Sequence, residues 1–125
     1  MRLLLDTHVL LWWLGNDPSL GPAAQEAIGD GGNLVGVSAV TAWEISIKHA
    51  LGKLILPGEL EQQIGANGFV PLPVTIADGL LAGSLPRHHD DPFDRMLVAQ
   101  ARRGGFTLVT KDRYLGAYGV ELLPA

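Results

Sequence analysis

Leu3-Leu4-Leu5-Asp6, at the start of the chain, and Phe106-Thr107-Leu108-Val109-Thr110-Lys111-Asp112, near its end, share one pattern: a short apolar run closed by an aspartate. Such runs predict buried strands, and the acid marks where the chain leaves the sheet. After the first strand, from Arg2 to Leu5, His8 to Leu14 reads as a helix stopped by Gly15-Asn16-Asp17-Pro18. Gly21-Pro22 opens a short helix to about Ile28, and Leu34 to Val37 is a second strand. Ser38 caps a helix running to about Leu51 and ending at Gly52. A further helix is expected between Pro57 and Gly68, then an edge strand or extended connection at Phe69 to Val74, which holds Pro71 and Pro73. Thr75 and Asp78 form a capping box before the helix Ile76 to Leu85. A polar loop at 87–92 precedes a helix from Phe93 to Arg103, ended by Gly104-Gly105. Phe106 to Thr110 and Val120 to Leu123 complete the strands. Strands alternating with helices imply an α/β fold with a parallel sheet covered on both faces. In such sheets ligands bind beyond the carboxyl ends of the strands, where Asp6 and Asp112 stand.

The 125 residues suit one domain, 1–125, and a hydrophobic fraction of 47% with 18% charged residues suits a compact soluble globule. Cysteine is absent, which excludes disulfides and thiolate metal sites. His8, His49, His88 and His89 lack the helical spacing of a zinc site. The apolar opening from Leu3 to Leu14 is interrupted by Asp6 and His8 and is too short to cross a bilayer. It has no small-residue cleavage site, so a cytoplasmic protein without a membrane partner is expected.

Four acids are locally misplaced: Asp6, Glu44, Asp94 and Asp112. Burying an isolated carboxylate costs several kcal/mol or forces protonation, so acids in such positions call for a cation. Glu44 lies on an apolar stripe with Val40, Ile47 and Leu51. Its bland alternative is a capping box with Thr41, but Ser38 is the better cap. Asp91 before Pro92 is a natural N-cap, and Asp94 falls at the third helical position in line with Leu97, Val98 and Ala101. Asp6 could simply cap the following helix, and Asp112 could be a loop acid paired with Lys111 or Arg113. If the fold gathers the four, the matching guest is a hard divalent metal, and the matching chemistry is metal-assisted phosphodiester hydrolysis.

Thr7, Ser38 and Thr110 accompany three of these acids, either orienting them or serving as ordinary caps. The net charge of −4 argues against a nucleic-acid binder, yet setting the four acids aside leaves nine acids against nine bases. The bases cluster late, as Arg87, Arg95, Arg102, Arg103, Lys111 and Arg113. Lys48, Arg95, Lys111 and Arg113 are candidates for phosphate contacts, with solvated surface charge the alternative. His88 and His89 read as solvated loop residues, with a metal-ligand role as the lesser alternative. Trp12, Trp13 and Trp43 could stack on bases or serve as core and interface residues.

Taken in order, Leu3-Leu4-Leu5-Asp6-Thr7-His8, Val37 through Ile45, His89 through Ala101 and Leu108-Val109-Thr110-Lys111-Asp112 make the chain resemble the PIN-domain ribonucleases. Within them it is similar to the VapC-type toxins of type II toxin–antitoxin modules, over essentially its whole length. The resemblance implies a PIN-like three-layer α/β/α domain with a central, about five-stranded parallel sheet. It implies Asp6, Glu44 and Asp94 as principal acids, Asp112 as the fourth with Thr110 beside it, and Mg²⁺ or Mn²⁺ bound among them. Where other members carry Asn or Ser after the first acid, this chain has Thr7. The activity implied is that of an endoribonuclease toxin cleaving RNA with metal-activated water and leaving a 5′-phosphate. A VapB-type antitoxin and a homodimer are implied as partners, with the helix of Trp12 and Trp13 contributing to the antitoxin groove.

Two other classes compete. A phosphoacceptor signalling domain also gathers acids at strand ends, but needs a paired acid after the first strand and an acceptor aspartate after a middle one. A metal-free interaction module needs no convergence of the acids at all.

Overall fold

The computed structural model describes residues 1–56 and 58–125. Five strands, β1 (Arg2–Leu5), β2 (Leu34–Ser38), β3 (Val70–Leu72), β4 (Thr107–Thr110) and β5 (Leu122–Pro124), form one sheet in the order β3-β2-β1-β4-β5. Every neighbouring pair is parallel. The α/β class and the five-stranded parallel sheet expected from the sequence are therefore present.

The helices are α1 (Thr7–Leu14), α2 (Pro22–Gly29), α3 (Ala39–Ala50), α4 (Leu60–Ala66), α5 (Ile76–Ser84) and α6 (Pro92–Gly104). The start expected for α4 at Pro57 lies outside the described residues. Alternation along β1 divides the core: Leu3 and Leu5 join Val9, Leu10 and Ala24 on one face, while Leu4 joins Leu97, Val98 and Leu108 on the other. Three layers follow, with α1 and α2 on the first face and α6 on the second. β3 lies at the sheet edge, where Pro71 costs no ladder bond to a further strand. α6 ends where Gly105 adopts φ 67°, a left-handed conformation that glycine takes without steric penalty.

Two local expectations are corrected. Leu51, assigned to the buried stripe of Glu44, follows the last turn of α3 and is 63% exposed, because the helix has already ended. A 3₁₀ helix at Arg113–Tyr118 follows Asp112, which caps it by accepting from the Tyr114 N–H at 3.1 Å. Its short length, with Gly116 inside it and Gly119 closing it, concealed it from periodicity.

The switch point of the sheet lies at β1. From there the chain moves outward through β2 and β3 on one side, and through β4 and β5 on the other. Connections diverge here, leaving a crevice beyond the carboxyl ends of β1 and β4.

The expected capping box of α5 is present: Thr75 Oγ1 accepts from Asp78 N–H at 3.1 Å and Asp78 Oδ2 accepts from Thr75 N–H at 2.9 Å. Burial alone would raise the Asp78 pKa, but the Thr75 N–H and the Arg103 guanidinium at 2.9 Å outweigh it and hold the pKa below 3.8. Asp78→Ala should cost about 1 kcal/mol at pH 7, mainly from the cap, since Arg103 is half exposed and screened. Because the folded pKa is depressed, this stabilisation is present above the unfolded pKa and lost as pH falls through the folded one. Urea unfolding midpoints of the two proteins should therefore differ at pH 7 and converge well below pH 3.8.

Candidate active site

Each of the four acids reaches the crevice from a different element. Asp6 leaves β1 and caps α1, its Oδ1 accepting from the Val9 N–H at 2.8 Å. Glu44 lies inside α3, Asp94 at the third position of α6 and Asp112 just after β4. Asp6 and Glu44 are almost fully buried, at 7% and 5% exposure. They are close enough for Glu44 to raise the Asp6 pKa and for Asp6 to raise that of Asp94. Asp94 and Asp112 both approach His89 Nε2, at 2.8 and 3.5 Å. The four acids suspected from the sequence thus converge at the switch point.

The hydroxyls bind them into one network. Thr7 Oγ1 donates to Glu44 Oε1 at 2.5 Å, so Thr7 serves the helical acid rather than its neighbour Asp6. Thr110 hydrogen-bonds the Asp6 side chain and accepts from the Asp112 N–H at 3.0 Å, linking the first and fourth acids across adjacent strands. Ser38 caps α3 by accepting from Val40 N–H at 3.0 Å. Asp91 caps α6, accepting from Phe93 and Asp94 N–H groups at 2.8 and 3.2 Å, which is the structural role weighed for it.

Two of the bases expected to contact phosphate are turned inward. Lys48 Nζ lies 2.6 Å from Glu44 Oε2, one helical turn away, and compensates that buried charge. Arg95 donates to the carbonyls of Ala82, Leu85, Pro86 and His89, at 2.9 to 3.2 Å. Its rigid fork of donors ties the end of α5 and the loop after it to α6. Lys111 and Arg113 remain exposed at the rim, with Lys111 5.2 Å above the Trp12 ring. Trp13 is only partly buried, against Phe69, and its indole N–H donates to Asn67 at 3.0 Å. Trp43 is 62% exposed and meets Phe93 edge-on at 5.5 Å.

His89 is the residue whose surroundings sequence reasoning misjudged. Expected in solvent, it lies instead between Asp94 and Asp112, and its backbone N–H donates to the buried Tyr118 hydroxyl at 2.9 Å. One signal was available: His89 begins the same stretch, His89-Asp90-Asp91-Pro92-Phe93-Asp94, that ends in the acid it touches.

Residues 3–120 match the PIN domain family. The chain belongs to that family. Ribonuclease VapC22 of Mycobacterium tuberculosis is 32% identical, over 93% of this chain and 91% of its own length. The fold also matches a DNA-bound VapBC structure from Salmonella typhimurium, with a TM-score of 0.72 at 18% identity, covering 99% of this chain and 98% of that one. A toxin–antitoxin complex from Klebsiella pneumoniae matches with a TM-score of 0.67 at 15% identity, covering 97% and 95%. At these identities the two structures speak for the PIN fold.

The electrostatics of this PIN domain fit a divalent cation. Desolvation raises the Asp6 pKa, against hydrogen bonds from Thr110 and Val9. Desolvation likewise pushes Asp94 up to about 6, reinforced by Asp91 and Asp6 and opposed by its hydrogen bond to His89. The same hydrogen bond raises the His89 pKa. Carboxylates gathered where burial and mutual repulsion oppose their charge are an oxygen-rich donor set for a hard cation.

An acid with a raised folded pKa opposes folding once pH exceeds its unfolded value. In EDTA at pH 7.5, Asp94→Asn should therefore stabilise the protein by about 1–2 kcal/mol. Millimolar Mn²⁺ should raise the melting temperature of the wild type and leave that of the variant nearly unchanged. Differential scanning fluorimetry in EDTA and in Mn²⁺ checks both.

Proposed function

We propose that this PIN domain is an endoribonuclease toxin of the VapC type, hydrolysing RNA phosphodiester bonds and arresting growth when free of its antitoxin. The observation that carries the reading is the convergence of Asp6, Glu44, Asp94 and Asp112 on the crevice between β1 and β4. The identity with Ribonuclease VapC22 over nearly the whole chain supplies the substrate class.

Asp6, Asp94 and Asp112 would hold Mg²⁺ or Mn²⁺ directly, with Glu44 binding or orienting a water. When bound, such a cation polarises the scissile phosphate and lowers the pKa of a coordinated water. The chain supplies the rest. The Val9 N–H and Thr110 fix one carboxylate, and Thr7 and Lys48 fix another, so the acids need little reorganisation on meeting substrate. Lys111 and Arg113, exposed beside Asp112, would take the phosphates flanking the scissile bond. Hydrolysis by water needs no ribose 2′-OH and leaves a 5′-phosphate.

Partners follow from the same family. The solved neighbours include VapBC and other toxin–antitoxin complexes, which supports a VapB-type antitoxin for this chain. A homodimer is part of this reading. No helix among the described residues is long and apolar enough to cross a membrane, which agrees with a cytoplasmic site of action. The phosphoacceptor alternative finds no support, since β2 ends at Ser38 and β3 at Leu72, where an acceptor aspartate would be needed.

Antitoxin-free protein incubated with defined RNAs should cut them in Mg²⁺ or Mn²⁺ and not in EDTA, leaving 5′-phosphate ends. Asp94→Asn should lower the rate by at least about 100-fold. Cleavage that persists in EDTA, or 2′,3′-cyclic phosphate products, would sink this reading.

A further inference from the structure

His89 brings an imidazole nitrogen to two of the acids. Its Nε2 lies 2.8 Å from Asp94 Oδ2 and 3.5 Å from Asp112 Oδ2. One donor atom from each of these residues falls within 4.8 Å of the other two. Neighbouring ligands of an octahedral ion with bonds of about 2.1 Å are about 3 Å apart, and opposite ones about 4.2 Å. The trio has the spacing of a ligand set around one small cation.

A plain histidine–aspartate hydrogen bond explains less. One ring nitrogen carries one proton and can serve one carboxylate, yet two carboxylate oxygens are turned toward it. A cation between the three would satisfy them all. The backbone of His89 is also held in place. The Tyr118 hydroxyl accepts from the His89 N–H and lies 3.3 Å from the His89 carbonyl, which also accepts from Arg95 at 3.2 Å. Tyr118 is buried and Arg95 is tied to Ala82, Leu85 and Pro86, so the loop carrying His89 is anchored on both sides. A side chain merely resting on an acid needs no such anchorage.

We propose that His89 is a direct ligand of the divalent cation, completing a site with Asp94 and Asp112 that favours Mn²⁺ over Mg²⁺. This rests on the reading of the acid cluster as a cation site. The preference follows from the donor: Mg²⁺ takes oxygen ligands and keeps its waters, whereas imidazole nitrogen suits first-row transition ions. Arg95 and Tyr118 are then positioning residues, acting on the cation through the His89 backbone.

The test uses full-length antitoxin-free protein loaded with Mn²⁺ and examined by electron paramagnetic resonance. Loss of the free-ion signal on titration gives stoichiometry and affinity, and pulsed measurements detect ¹⁴N coupled to the bound ion. The wild type should show imidazole ¹⁴N coupling and bind Mn²⁺ at least about 10-fold more tightly than Mg²⁺. His89→Gln keeps a hydrogen-bond donor near Asp94 but offers no imidazole. It should abolish the coupling and weaken Mn²⁺ binding by about 10-fold or more, with little effect on Mg²⁺. Circular dichroism of the variant establishes that it is folded. Bound Mn²⁺ without ¹⁴N coupling in the wild type, or coupling that survives His89→Gln, would overturn the proposal while leaving the cation site intact. A wild type that retains no Mn²⁺ would overturn the cation reading along with it.

Discussion

Like charges gathered at a desolvated sheet edge are the constraint around which this molecule is arranged. Asp6 and Glu44 are nearly inaccessible to water, and Asp94 is only partly accessible, yet each carboxylate acts on the next. Left alone, such acids would unfold the edge or take up protons. The chain answers each charge locally. Glu44 has the Thr7 hydroxyl and the Lys48 ammonium, Asp6 has a helix N–H and Thr110, and Asp94 has His89 and the N-terminal end of α6. The compensation is incomplete, since Asp6 and Asp94 still have raised pKa values. A divalent cation bound among them would offset the remaining desolvation and repulsion.

The scaffold makes such crowding tolerable by drawing the acids from separate, well-packed elements. β1 sits at the centre of the sheet with Leu3, Leu4 and Leu5 wholly buried, so Asp6 is delivered by one of the most deeply packed segments of the fold. β4 lies beside it in parallel and carries Thr110 and Asp112 to the same edge. Glu44 and Asp94 arrive on helices anchored in the core, α3 by Val40 and Ile45, one in each core layer, and α6 by Leu97 and Val98 in the second. Repulsion between the acids therefore works against the packing of the whole domain, not against a loop free to yield.

The basic residues divide along similar lines. Lys48 and Arg95 hold the interior of the site together, one by neutralising an acid and the other by tying loop carbonyls to α6. Lys111 and Arg113 stay at the surface. A count of net charge cannot separate these roles, which is why −4 carried so little weight against a nucleic-acid substrate.

The sequence by itself determined the alternating α/β plan, the strand ends at Asp6 and Asp112, the cap pairs at Thr75 and Asp78, and the four acids that belong together. These are legible because strand runs, helix caps and acids in apolar surroundings are local patterns, governed by backbone geometry and desolvation within a few residues. Only the tertiary structure decided what each acid touches. That Thr7 serves Glu44 across 37 residues, that Thr110 joins Asp6 to Asp112, that Lys48 and Arg95 face inward and that His89 enters the crevice all depend on which elements lie side by side. A histidine in a polar loop has the same local signature whether it meets water or two aspartates. The difference is made by Tyr118 and Arg95, contributed by the 3₁₀ helix and α6, which hold its backbone against the sheet edge.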